Sequence, residues 1–160
     1  MKTLRFTLVA ITFLIGAMAA NAQEQKGQQF AKLAKLENVE YTYISKTALK
    51  LGLNTLNITG LNINDINCIE IATTKHYNTR WWFESEINKI FNNIKKEPLI
   101  ANQSKEESTN VWAEEIDNKC VRNIYVLTKN KTEMTFLAIM GTVSIKAIPQ
   151  LIDQDSKQAK

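Results

Sequence analysis

Enzymatic chemistry needs titratable or nucleophilic side chains held together, and this chain offers few: one histidine and two cysteines among 160 residues. His76 is the first candidate for a general base, because histidine is the residue type that titrates near neutrality. It stands between Lys75 and Tyr77 in a stretch read as a loop, with no serine or cysteine framed beside it as a nucleophile, and reads as a surface histidine. Glu84 and Glu86 lie two apart on a predicted helix and do not face each other. Glu114 and Glu115 are adjacent on a predicted strand and point to opposite faces. Neither pair makes an acid–base dyad. The five glycines show no GxGxxG or P-loop spacing, and no CxxC or HxxxH spacing offers a metal site. The sequence therefore assigns no catalytic residue, no metal ligand and no cofactor.

Cys68 and Cys120 are the remaining reactive groups, and their reading depends on the compartment. Met1 to Arg5 is a short basic start, residues 6–20 are apolar and uncharged, and Ala20-Asn21-Ala22 places small residues where a signal peptidase reads them. This is the three-part pattern of a secretory signal peptide. Fifteen apolar residues fall short of the roughly 20 that span a bilayer. No second long apolar stretch follows, so the mature chain is expected to be extracytoplasmic, periplasmic or secreted, with no transmembrane segment. There, two cysteines can pair. A Cys68–Cys120 bridge would close a loop of about 50 residues and stabilise by about 4 kcal/mol in the chain-entropy model. The alternative is two small buried thiols.

Charge excludes one class of partner. The chain carries 20 basic and 16 acidic residues. Removing Lys2 and Arg5 with the leader leaves 18 basic against 16 acidic, without the concentrated basic face of a nucleic-acid binder. The composition, 44% apolar and 22% charged, is that of an ordinary globular chain.

The elements that must position any site follow from periodicity. Residues 28–37 read as a short helix with Phe30, Leu33 and Ala34 on one face. Residues 41–45 and 69–73 read as strands. Ser45 is placed to cap a short helix through Leu51, which Gly52 ends. The asparagine-rich residues 54–67 read as a long connection. Residues 79–96 form the strongest helix: Phe83, Ile87, Ile90, Phe91 and Ile94 make a full apolar stripe, and Pro98 stops it. Four strands follow at 99–102, 110–116, 121–129 and 133–141, joined by tight turns that force antiparallel pairing. A last short helix covers about 144–152, with Pro149 awkward inside it. The sum is a single α+β domain over residues 23–160, with an ordered core of about 28–153. A single sheet with an antiparallel C-terminal meander is expected to carry helices mainly on one face.

Trp81 and Trp82 do not fit that stripe. At about 100° per residue, Trp82 falls roughly 120° to one side of its centre and Trp81 roughly 140° to the other, while Arg80 falls close to it. Either the helix begins later, or residues 54–67 fold over the rings, or at least one ring is exposed and anchors a partner. Arg80, Trp81 and Trp82 are thus the candidate interaction surface, because Trp with a nearby Arg is the composition of interface hot spots.

Phe30 to Leu33, Val39 to Lys46 (Val-Glu-Tyr-Thr-Tyr-Ile-Ser-Lys), Ile69 to Thr74 (Ile-Glu-Ile-Ala-Thr-Thr), the strand series and a C-terminal Ile-x-x-Leu resemble the domain-of-unknown-function family numbered 4252, small exported proteins of Bacteroidetes. The resemblance covers nearly all of the mature chain and implies no activity, cofactor or catalytic residue. Lys75-His76-Tyr77-Asn78 departs from the acid-containing segment usual after the Thr-Thr. Two functions are carried forward: a non-enzymatic envelope module binding a protein or ligand, and a small extracytoplasmic hydrolase whose acids are assembled by the fold. The export reading predicts that the protein from its native host begins at Gln23, free or cyclised to pyroglutamate. An intact mass that retains residues 1–22 would contradict it.

Overall fold

The computed structural model describes residues 30–52, 61–94 and 97–149. In chain order it contains β1 (Glu40–Ser45), α1 (Lys46–Gly52), β2 (Ile66–Thr74), α2 (Tyr77–Ile94), β3 (Ile100–Gln103), β4 (Glu107–Ile116), β5 (Cys120–Asn130) and β6 (Met134–Ser144). Short 3₁₀ turns lie at Leu33–Lys35, Ile63–Asp65 and Ile145–Ala147.

The strands form one six-stranded sheet in the order β1-β2-β6-β5-β4-β3, antiparallel at every pair. The expected meander is present from β3 to β6, and its last strand inserts beside β2. Side chains drive this arrangement. In β2 Ile69 and Ile71 point to one face and Glu70 and Ala72 to the other, and all four are buried. Backbone N–H and C=O groups cut off from water need partners; β1 and β6 supply them at the two edges of β2. The tight turns are closed by short polar side chains. Asp117 accepts the backbone N–H groups of Lys119 and Cys120, at 2.7 and 2.6 Å, which hold its carboxyl below the usual range. Asn130 accepts those of Thr132 and Glu133, at 2.9 and 2.7 Å.

Two apolar clusters lie on the two faces. One joins Phe83 and Ile87 of α2, with Phe30 and Leu33, to Ala72, Tyr125 and Phe136 of the sheet. The other joins Leu49 of α1, with Ala147 and Ile148, to Ile69, Ile71, Ile124 and Ile139. Helical residues therefore occur on both faces. Ser45 caps α1 as expected, its Oγ accepting the N–H of Ala48 at 3.2 Å.

Several expected boundaries move. The helix read over 28–37 is, in its described part, one 3₁₀ turn. Phe30 and Leu33, at i and i+3, are buried by that single turn, and Ala34 is exposed. The C-terminal helix likewise shows a 3₁₀ turn leading into Ile148 and Pro149. Residues 28–29, 53–60, 95–96 and 150–153 of the expected elements lie outside the described residues.

The cysteine pairing is corrected. Cys68 lies opposite Met140 and Cys120 opposite Ser144, on the two sides of β6. Two strand spacings separate them across the sheet, about 10 Å, and four residues along it, about 13 Å. A disulfide needs Cα atoms about 5.5 Å apart. Both cysteines are free.

At the same level the sheet is irregular. The β2–β6 register shifts between Ile66 and Cys68, and the β5–β6 register between Arg122 and Ile124. Asn123 there has φ 49°, and its Oδ1 accepts the Gly141 N–H at 2.9 Å. Gly141 has φ 141°, and a Cβ on it would meet the Asp65 carbonyl oxygen at 2.2 Å and the Ile66 Cα at 2.8 Å. Backbone on both sides of that contact cannot give way cheaply. Gly141→Ala is expected to lower unfolding free energy by about 2 kcal/mol or more. Gly52→Ala, where nothing lies within 4 Å of the added Cβ, should change it by less than about 0.5 kcal/mol. Urea denaturation of the two variants checks both values, and equal effects would refute the close approach.

Candidate functional site

The start of α2 is fixed from several sides. Thr74 Oγ1 donates to the Asn38 carbonyl at 2.9 Å and accepts the His76 N–H at 3.3 Å. Thr79 Oγ1 donates to the Glu37 carbonyl at 3.0 Å. The helix therefore begins at Tyr77, two residues before the expected start, and the reading in which it begins after the tryptophans is corrected. Arg80 Nη1 donates to the carbonyls of Asn130, at 3.1 Å, and Lys131, at 2.9 Å, clamping the helix to the β5–β6 turn. One turn on, Glu84 pairs with Lys129 of β5. Phe83 and Ile87 enter the core with no measurable exposure.

Those anchors consume one side of the helix and set the other. Tyr77, Trp81 and Trp82 point to solvent, 82%, 67% and 57% exposed. Tyr77 and Trp81 are four apart, so they lie on one face of the helix. Trp81 and Trp82 meet edge to face with ring centroids 4.5 Å apart. Of the three residues singled out in the sequence, the structure places the two tryptophans together on the surface, while Arg80 directs its guanidinium to the hairpin carbonyls. Sequence reasoning missed Tyr77, whose signal was its place one turn before Trp81.

A second assembly of polar groups occupies the α2-bearing side of the sheet. Glu70 is fully buried and accepts the Phe30 N–H at 2.9 Å and the Tyr41 hydroxyl at 2.5 Å. Three strands away, Glu114 accepts the Tyr125 hydroxyl and, at 2.6 Å, the Asn123 amide. Burial, followed by the hydrogen bond to Glu70, pushes the Tyr41 hydroxyl above its ordinary range, and burial followed by Glu114 does the same to Tyr125. Burial, then the Glu70 charge, pushes the Cys68 thiol up to about 11. Cys68 is therefore protonated at neutral pH and is a poor nucleophile.

His76 borders a depression of about 370 Å³ with Asn38, Val39, Glu40, Thr73 and Lys75. Glu86 pairs with Lys89, and Glu106 with Lys131. Among the described residues no group of three or more His, Cys, Asp or Glu side chains is placed to hold a metal ion.

Compared with protein-family models, curated proteins and solved structures, the chain matches none.

The exposure pattern yields a stability prediction. Trp81→Ala and Trp82→Ala should each cost under about 1 kcal/mol, the worth of an edge-to-face contact. Phe83→Ala, next in sequence, should cost about 3–5 kcal/mol as a core aromatic. Denaturant midpoints measure the contrast, and a tryptophan variant as costly as Phe83→Ala would show the rings to be structural.

Proposed function

We propose that this chain is an exported, non-enzymatic module of the cell envelope that binds a protein or ligand through Tyr77, Trp81 and Trp82. In this reading it is a member of family 4252, cleaved after Ala22, with α2 as the main helical layer of its sheet. The observation that carries the proposal is the outward aromatic face of α2. Three large exposed rings lie near the start of a helix whose Phe83 and Ile87 are buried in the core. Contiguous exposed apolar surface on a folded chain marks interaction sites. Among the described residues no helix is long and apolar enough to cross a membrane.

The hydrolase reading has one observation in its favour: Glu70 and Glu114 both act electrostatically on Tyr125 from the same side of the sheet. Chemistry counts against it. A hydrolytic acid or base must reach water and substrate. Glu70 has no exposure, and two of its contacts are the backbone of Phe30 and the hydroxyl of Tyr41. That arrangement ties the chain at residue 30 to β1 and β2, a structural task.

The test is a photo-crosslinking phenylalanine analogue placed at Tyr77 in the native host. Irradiation should give discrete adducts from position 77 and none from Thr47, an exposed residue of α1. Adducts from neither position, or from both equally, would overturn the proposal.

A further inference from the structure

Resting on that reading of the aromatic face, we infer that its occupant is the surface of an anionic lipid bilayer, entered by the rings of Tyr77, Trp81 and Trp82. The first argument is ring chemistry. Tryptophan and tyrosine combine an apolar body with an N–H or O–H tip, and this combination places them at the boundary between hydrocarbon and water. Here three such rings stand within six residues at one end of a helix, each more than half exposed.

Shape is the second argument. The rings project from the first turns of α2, Trp81 at the edge of a depression that it shares with Glu84, Ser85, Asn88 and Lys89. A protein hot spot is typically a side chain seated in a packed pocket of its partner; a wedge of projecting rings suits a fluid receiver.

Charge complementarity is the third. Residues 75–83 contain Lys75 and His76 and no acid, while the Arg80 guanidinium is turned to the β5–β6 turn. The positive end of the α2 dipole lies here, and its first turn carries no acidic residue. The next acids along the helix, Glu84 and Glu86, are each paired with a lysine. A basic helix end bearing interfacial aromatics is the composition that binds anionic headgroups. Docking by this end would stand α2 with its first turns in the headgroup layer and leave the sheet in water.

The experiment is co-sedimentation of the exported chain with phosphatidylglycerol-rich vesicles and with pure phosphatidylcholine vesicles, read together with tryptophan emission. The phosphatidylglycerol vesicles should retain the protein, shift its emission to shorter wavelength and release it as salt is raised. The Trp81→Ala/Trp82→Ala double variant should bind at least about tenfold more weakly. Lys75→Glu should weaken binding about fivefold or more. Both variants should keep the parent circular dichroism spectrum and melting transition. No retention on phosphatidylglycerol vesicles, or retention that the double variant leaves unchanged, overturns the inference. Protein adducts from position 77 would in that case leave the broader binding reading standing, and their absence would remove both.

Discussion

The whole arrangement depends on one constraint: β2, β6 and β5 lie inside the sheet and bury side chains on both of their faces. Ile69 and Ile71 face one way and Ala72, Phe136 and Tyr125 the other. Each face must be covered, since every exposed Leu, Ile or Phe would forfeit about 1.5–3 kcal/mol of burial. On one side the cover includes α1 and the turn at Ile145–Ala147. On the other it is α2 with Phe30 and Leu33. A helix has one apolar stripe, and that of α2 packs Phe83, Ile87, Ile90 and Phe91 against the sheet. The rings of Tyr77, Trp81 and Trp82 cannot join it and must face water. Their exposure is thus a consequence of how the sheet is covered.

The same covering explains the buried polar groups. A carboxylate sealed from water is very costly unless donors surround it. Glu70 meets a backbone N–H and a phenol, and Glu114 a phenol and an amide. Such networks fix one arrangement of the elements they join. Phe30 enters edge to face between Tyr125 and Phe136, and its N–H reaches Glu70, so the start of the described chain, β1 and β2 are set by one carboxyl group. The thiol of Cys68, raised by burial and by Glu70, belongs to this sealed region.

Much of the fold was legible because local pattern and tertiary demand agree. The stripe of α2 has helical period, the strands show β-branched and alternating residues, and Asp117, Asn130 and Ser45 are turn and cap residues with a mechanism. What was not legible depends on residues far apart in sequence. Nothing local says that β6 inserts beside β2, and that insertion separates Cys68 from Cys120. Thr79 resembles a helix start, yet its hydroxyl serves the Glu37 carbonyl, and the helix begins at Tyr77. Glu70 has partners at Phe30 and Tyr41, forty and twenty-nine residues away, which no local pattern shows. Arg80 was correctly placed near the apolar stripe, but its acceptors on the β5–β6 turn lie fifty residues away. Trp81 and Trp82 were legible as misfits to the stripe, and the structure resolves the misfit as exposure.

The central claim, that covering the sheet forces the aromatic face of α2 outward, is tested most directly by fluorine NMR. The chain has three tryptophans, and uniform 5-fluorotryptophan labelling gives each its own resonance. A soluble paramagnetic agent should broaden Trp81 and Trp82 steeply. Trp112, half-buried and stacked on Phe91 with centroids 4.0 Å apart, should broaden little. Equal protection of all three rings would contradict the account.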